Sequence, residues 1–244
     1  MVKLVCWNIA GQTRKEVWNE LWTMNADVAL LQEVKRFPSK LPESVSIDPY
    51  PLHEPWNKEL LDRWPAIVKL TDRVKVEWFK RVFPISELGI DEFGGSGIGL
   101  ATAAKVICVD KKVNPFIALS MYARWIRPHK TTKSKWRVGY TDGSAHRILS
   151  DLSTFIGDQD PSTHRILAAG DLNICFDGLD DNPNDLPERT RSVFERFNVL
   201  GLELVGPRYP HGRKANPTPK SFQQTQKMYL HLRCTRNPRM RNFN

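Results

Sequence analysis

The residues best suited to chemistry are polar groups placed where apolar runs end. Ile166-Leu-Ala-Ala-Gly-Asp-Leu-Asn173 closes such a run in Gly-Asp-x-Asn, so the carboxylate of Asp171 and the amide of Asn173 arrive together. In an extended segment, residues two apart share a face. A fixed carboxylate beside a hydrogen-bond donor suits activation of water for attack on phosphorus, although an Asp at a strand end is also a common turn-former. Two further runs finish the same way. Lys3-Leu-Val-Cys-Trp-Asn8 delivers an amide and Asp27-Val-Ala-Leu-Leu-Gln-Glu33 a carboxylate, so three polar chain ends are in a position to converge on one edge of a core.

The elements that must position these groups follow from periodicity. The three runs are short, aliphatic or β-branched and bounded by polar residues, which predicts inner strands. Helical spacing predicts helices over Arg14–Met24 (Val17, Leu21, Trp22), Ser144–Ile156 (Ile148, Leu149, Leu152, Ile156) and Pro187–Phe197 (Val193, Phe194, Phe197). Ala66–Leu70, Val74–Phe83, Ile98–Val109 and Leu202–Val205 read as strands, with Phe116–Tyr122 another apolar run. Gly94-Gly-Ser-Gly97 lacks the Lys-Ser or Lys-Thr ending of a nucleotide-binding loop and reads as a hairpin connection. The stretch from Phe37 to Trp64, rich in Pro and Trp, is an irregular connection able to shape a cleft. The alternation is that of an α/β fold.

With 244 residues and 41% hydrophobic content, the chain can bury roughly 70 to 75% of its unfolded surface and needs no staples. Cys6, Cys108, Cys175 and Cys234 form no C-x-x-C pair, which points to a reduced, cytoplasmic setting. No signal peptide or bilayer-length apolar stretch is visible, so no membrane association is expected. The net charge is +9, and all of that excess lies after Val205: residues 206–244 carry nine Lys and Arg and no acid. One domain is therefore expected over 1–205, followed by a basic, Pro-containing tail over 206–244 that is poorly ordered. Inside the body a second basic cluster, Arg124, Arg127, Lys130, Lys133, Lys135 and Arg137, is interleaved with Trp125, His129 and Trp136. It begins just after Tyr122. Such a loop either tracks a phosphate backbone and offers aromatic faces to bases, or is a solvated insertion whose tryptophans cap the core.

The ordered motifs C-W-N-I-A-G, L-L-Q-E-V, S-M-Y-A-R-W and G-D-L-N resemble the endonuclease/exonuclease/phosphatase superfamily, the group that contains DNase I, exonuclease III and the abasic-site endonucleases. The resemblance spans about Lys3 to Val205. It implies a four-layer α/β sandwich of two packed, mostly antiparallel sheets flanked by helices, with the site at one end of the sheets. It also implies Mg²⁺ or Mn²⁺ held at Glu33, with Asn8 orienting that carboxylate or holding metal-bound water. Asp171 would position and deprotonate the attacking water, Asn173 would donate to a phosphate oxygen, and Tyr122 would donate to the developing charge.

Two departures stand out. Ala10 occupies the place where many nucleases of the superfamily carry a second acid, and the closing Ser-Asp-His, whose imidazole contacts the scissile phosphate, has no counterpart. The C-terminal part of the fold is therefore expected to be incomplete. The function implied is a metal-dependent phosphodiesterase, a nuclease acting on DNA and impaired by the missing Asp-His; the alternative is a non-catalytic or truncated member that binds phosphate-rich partners. No obligatory protein partner is evident. DNA against RNA, endo against exo cleavage and any abasic-site preference are not distinguished by these residues.

Overall fold

The structure, a computed structural model, describes residues 1–56, 62–83, 88–97, 99–110, 113–123, 142–157, 165–174, 187–203 and 227–231. The chain runs β1 (Lys3–Asn8), α1 (Lys15–Thr23), β2 (Val28–Val34), β3 (Ser46–Ile47), β4 (Trp64–Lys69), β5 (Val74–Trp78), β6 (Lys80–Val82), β7 (Glu92–Gly94), β8 (Gly99–Cys108), β9 (Phe116–Ala123), α2 (Asp142–Gly157), β10 (Arg165–Asp171), α3 (Pro187–Val199) and β11 (Lys227–His231).

Strand alternation builds the layers. In β1, Leu4 and Cys6 face one way and Val5 and Trp7 the other. Leu4 and Cys6 join Val28, Leu30 and Ile67 against Val76, Ala104, Val106 and Ala118, which is the core between two sheets. Val5 and Trp7 pack with Ala29, Leu31 and Val68 against Trp18 and Leu21 of α1. On the far side, Ala101, Ile117, Leu119 and Met121 meet Ile148, Leu149, Leu152 and Phe155 of α2 and Val193 of α3. The order is therefore helix, sheet, sheet, helices, an α/β sandwich of four layers. Side chains such as Leu4, Leu30, Ile67 and Val106 are at most 1% exposed, and each contributes about 1.5–3 kcal/mol by leaving water.

The first sheet has the order β11-β1-β2-β4-β3 and the second β10-β9-β8-β5, with β6 and β7 forming a separate ribbon. Each main sheet is mixed: β1 with β2 and β9 with β10 are parallel, and the remaining pairs are antiparallel. The two parallel pairs carry the polar strand ends singled out above. Gly170 allows one of them to close, since a Cβ there would lie 2.0 Å from the Met121 carbonyl oxygen of β9.

Three local expectations are corrected. Val74–Phe83 is not one strand. The Phe79 N–H still bonds to Ala103 O of β8 at 3.0 Å, but the Lys80 N–H bonds to Asp91 O at 2.8 Å, so the chain changes partner there. The alternation of Val74, Val76 and Trp78 slips phase there, and Phe79 is buried edge-on to Phe155. Gly94–Gly97 links β7 to β8, which belong to different sheets, so it is not a hairpin connection. Leu202 and Glu203 are not in a strand, and 204–205 lie outside the described residues.

The irregular connection before β4 is clamped from beneath. Arg81, buried in β6, donates to Pro51 O at 2.9 Å and Glu54 O at 3.2 Å and pairs with buried Asp48 at 3.2 Å. Burial pushes the Asp48 carboxyl up and the Arg81 guanidinium down, each against the charge of its partner.

Within the basic arm, Lys227–His231 form β11, antiparallel to β1 with Lys3 opposite His231 and Trp7 opposite Lys227. Sequence pattern suggested no strand there. The edge of β1 supplies unpaired backbone groups that an extended segment of almost any composition can complete. The remainder of 206–244 lies outside the described residues.

Candidate active site

Asn8, Glu33 and Asp171 meet at one end of the sandwich. Parallel pairing of β1 with β2 sets Asn8 beside Gln32, so Glu33 emerges next to the Asn8 side chain. Asp171 ends β10 directly beside Tyr122 of β9. The Asn8 amide then bridges the two sheets, its Nδ2 donating to Glu33 Oε1 at 3.0 Å and to Asp171 Oδ2 at 2.7 Å. Its own Oδ1 accepts the Ala10 N–H at 2.8 Å, which fixes the rotamer.

The backbone is bent to serve this meeting. Ala10, Glu33 and Asn173 have φ of 51°, 57° and 50°, in the left-handed region that side chains avoid. Such conformations cost on the order of 1–3 kcal/mol each and persist when the surroundings impose them. At Glu33 the cause is visible: the β2–β4 register shifts between Leu31 and Val34, a bulge that re-aims the carboxylate. Asn173 does not share a strand face with Asp171 as the spacing suggested. The strand stops at Asp171, and the Asn173 N–H turns back onto Asp171 Oδ1 at 2.8 Å. The Asn173 side chain donates to Ala123 O at 2.5 Å, tying the end of β10 to the end of β9.

Burial holds the Asp171 carboxyl above its ordinary range; bonds from the Asn173 N–H and Asn8 oppose this, and the Glu33 charge adds to it. Tyr122 is buried with Leu100, Trp56 and Trp64 beside these groups. Cys6, on the adjoining stretch of β1, is pushed up to about 12, mainly by burial, and is no nucleophile.

Three residues complete the site without having been singled out in the sequence. Arg63, just before β4, pairs through Nη1 with Glu33 Oε2 and lies 3.5 Å from Asp62. Burial would lower its pKa, but the Glu33 bond and the charges of Glu33 and Asp62 outweigh that, and the net direction is upward. Gln32 and Ser120, both buried, join the two sheets behind the site: Gln32 Nε2 donates to Ser120 Oγ at 3.0 Å, and Ser120 Oγ donates to Leu31 O at 2.8 Å. The available signal was a lone amide or hydroxyl inside an apolar run.

Among the described residues, no group of three or more His, Cys, Asp and Glu is placed to hold a metal ion. Mg²⁺, however, keeps several waters and takes as few as one or two protein carboxylates. Glu33 offers hard oxygens, 15% exposed, and already holds a cation in the Arg63 guanidinium. Its donor chemistry fits Mg²⁺ or Mn²⁺, with Asn8 orienting the carboxylate by hydrogen bond. The expected nucleic-acid contacts Arg124, Arg127, Lys130, Lys133, Lys135, Trp136 and Arg137 lie outside the described residues; the segment that carries them begins directly after Ala123, at the site. His231 lies opposite Lys3, at the far end of β1 from Asn8. No described helix is long and apolar enough to cross a membrane.

No family profile and no curated protein sequence matches the chain. Solved structures do. The catalytic domain of Xenopus laevis APE2 is similar with a TM-score of 0.52 and 15% identity, over 80% of this chain and 67% of that one. AP endonuclease LMAP from Leishmania major gives 0.46 and 16%, over 81% and 67%, and a 3′ phosphatase, NExo, from Neisseria 0.41 and 14%, over 82% and 71%. The likeness is one of fold, to the Xenopus laevis APE2 catalytic domain.

Proposed function

We propose that the chain is a metal-dependent phosphodiesterase that hydrolyses DNA with an activated water. The observation that carries this reading is the single amide of Asn8 joined at once to Glu33 and Asp171. It gathers one carboxylate placed to serve as a base and one that already seats a cation, from different sheets, into one partly buried place.

Asp171 is the base. Burial raises its pKa, which makes the ionised carboxylate a stronger proton acceptor than an exposed one. It takes a proton from water as the water oxygen bonds to phosphorus, and the bond from phosphorus to the leaving sugar oxygen breaks. Asn8 holds the ionised form in place. Asn173 has two amide hydrogens, of which Ala123 O engages one, so the second can donate to a non-bridging phosphate oxygen. Tyr122, level with Asp171 on the neighbouring strand, donates its phenol to charge developing on the same group. Glu33 would hold a divalent ion, which when bound would supply Lewis-acid neutralisation of phosphoryl charge. The basic segment from Arg124 to Arg137, which follows Ala123 in the sequence, holds the DNA backbone through its phosphates.

The test is cleavage of supercoiled plasmid with and without Mg²⁺. Metal-dependent nicking is expected, and Asp171→Asn lowers its rate about 10²- to 10⁴-fold while DNA binding remains. Near-normal turnover in that variant assigns the water to another residue. A second reading, phosphate binding without turnover, is favoured by the guanidinium seated on Glu33; DNA binding by the unaltered chain with no cleavage at any metal concentration decides for it.

A further inference from the structure

We infer that Arg63 and the divalent cation are alternative partners of Glu33, and that the guanidinium displaced by the cation becomes a ligand of the substrate phosphate. This rests on the metal-dependent reading above and concerns the same site.

Position comes first. Val34 pairs with Trp64, so Arg63 leaves the start of β4 alongside the bulge that turns Glu33 toward the site. The side chain runs past Gly11, where a Cβ would stand 2.9 Å from Lys35 Cε and 3.2 Å from Arg63 Nε. Gly11 has φ +67°, so both its conformation and its missing side chain suit the passage of these two cations. Arg63 is 35% exposed and Glu33 15%. The guanidinium therefore sits on the solvent side of the carboxylate, where an incoming ion meets it first.

Charge comes second. A divalent ion and a guanidinium cannot share one partly buried carboxylate without strong repulsion. Glu33 Oε1 is held by Asn8, which leaves Oε2, the oxygen that Arg63 occupies, as the one to exchange. The released fork does not have far to go, because Glu33, on which it sits, shares the Asn8 amide with Asp171. A planar guanidinium with five N–H donors matches phosphate oxygens. Metal binding and phosphate binding are then coupled: the cation frees the group that the phosphate needs.

The experiment measures Mn²⁺ binding to the full chain from the electron paramagnetic resonance signal of free Mn²⁺. Arg63→Gln is expected to bind Mn²⁺ about tenfold more tightly than the unaltered chain, about 1.4 kcal/mol. Lys35→Gln removes the same charge from the same neighbourhood without touching the Glu33 pair, and is expected to change affinity by threefold or less. Glu33→Gln abolishes this binding. Arg63→Lys, which keeps the charge without the fork, controls for folding and is expected to fall between. Equal tightening by Arg63→Gln and Lys35→Gln overturns the inference in favour of a diffuse field effect.

In the Asp171→Asn background, where DNA is cut slowly enough for binding to be read first, Mn²⁺ is expected to raise affinity for a short duplex, and adding Arg63→Gln to reduce that gain several-fold. An undiminished gain also overturns the inference. Glu33-dependent Mn²⁺ binding unaffected by Arg63→Gln sinks the competition alone; no Glu33-dependent binding in any chain sinks the metal-dependent reading with it.

Discussion

Gly170→Ala tests whether the meeting of β9 and β10 sets the position of the proposed base. The added Cβ would lie 2.0 Å from Met121 O and 2.7 Å from Met121 C and N. All three are backbone atoms of a buried strand, so no rotamer change relieves the overlap. Reaching 3.0 Å, below which Cβ atoms essentially never approach other atoms, requires the strands to part by about 1 Å. That displacement falls beside Asp171, one residue on, and disturbs a register of seven paired positions from Arg165–Phe116 to Asp171–Tyr122. A backbone clash of this kind costs about 2–4 kcal/mol, which for a chain of this size lowers Tm by roughly 5–15 °C. Misplacing a reacting group by about 1 Å costs about 10²-fold in rate. Thermal melting followed by plasmid nicking, well below the lowered Tm, separates the two effects. Gly157→Ala is the control, because nothing lies within 4 Å of its added Cβ, and Tm should be unchanged or slightly raised. If Gly170→Ala melts within about 1 °C of the unaltered chain and cuts normally, the close approach at Gly170 does not position Asp171.

Burial raises the Asp151 pKa from 3.8 to about 6, against bonds from the Ser96 N–H and hydroxyl and the charge of Arg147. A carboxyl raised on folding holds its proton in the native state, so stability falls as pH rises from about 4 through 6; Asp151→Asn should flatten that slope and add about 1–3 kcal/mol at pH 7, and an unchanged Tm profile between pH 4 and 7 rejects it. Gln32→Leu strips the donor from the bridge to Ser120 and leaves Leu30 O short of a partner, which should cost about 1–3 kcal/mol in urea unfolding; an unshifted midpoint would make the bridge incidental. Replacing Lys130, Lys133 and Lys135 by Ala should weaken DNA binding and flatten its salt dependence by up to about 0.9 log unit for each phosphate no longer neutralised, whereas an identical slope returns this segment to a solvated insertion.

The sequence by itself determined which residues are buried and where polar groups interrupt burial. Asn8, Glu33 and Asp171 were readable because each ends an apolar run, and α1, α2 and α3 because Val17 and Leu21, Ile148 and Leu152, and Val193 and Phe197 stand at helical spacing. The resemblance of the motifs added the expected layer order. What the tertiary structure alone decided is who pairs with whom. The alternation of Val74–Phe83 slips phase at Trp78-Phe79, and there the backbone leaves β8 for β7, a change of hydrogen-bond partner that a burial pattern does not name. Asp171 and Asn173 have the spacing of a shared face, but a left-handed turn at Asn173 joins them backbone to side chain instead. Arg63 carries no periodic signal, and only the β2–β4 register with its bulge brings it onto Glu33. Gln32 and Ser120 are 88 residues apart and meet because two sheets stack. Burial is a property each residue states in its own chemistry, whereas a hydrogen bond or ion pair across the fold belongs to two distant residues and exists only after packing has fixed the distance between them.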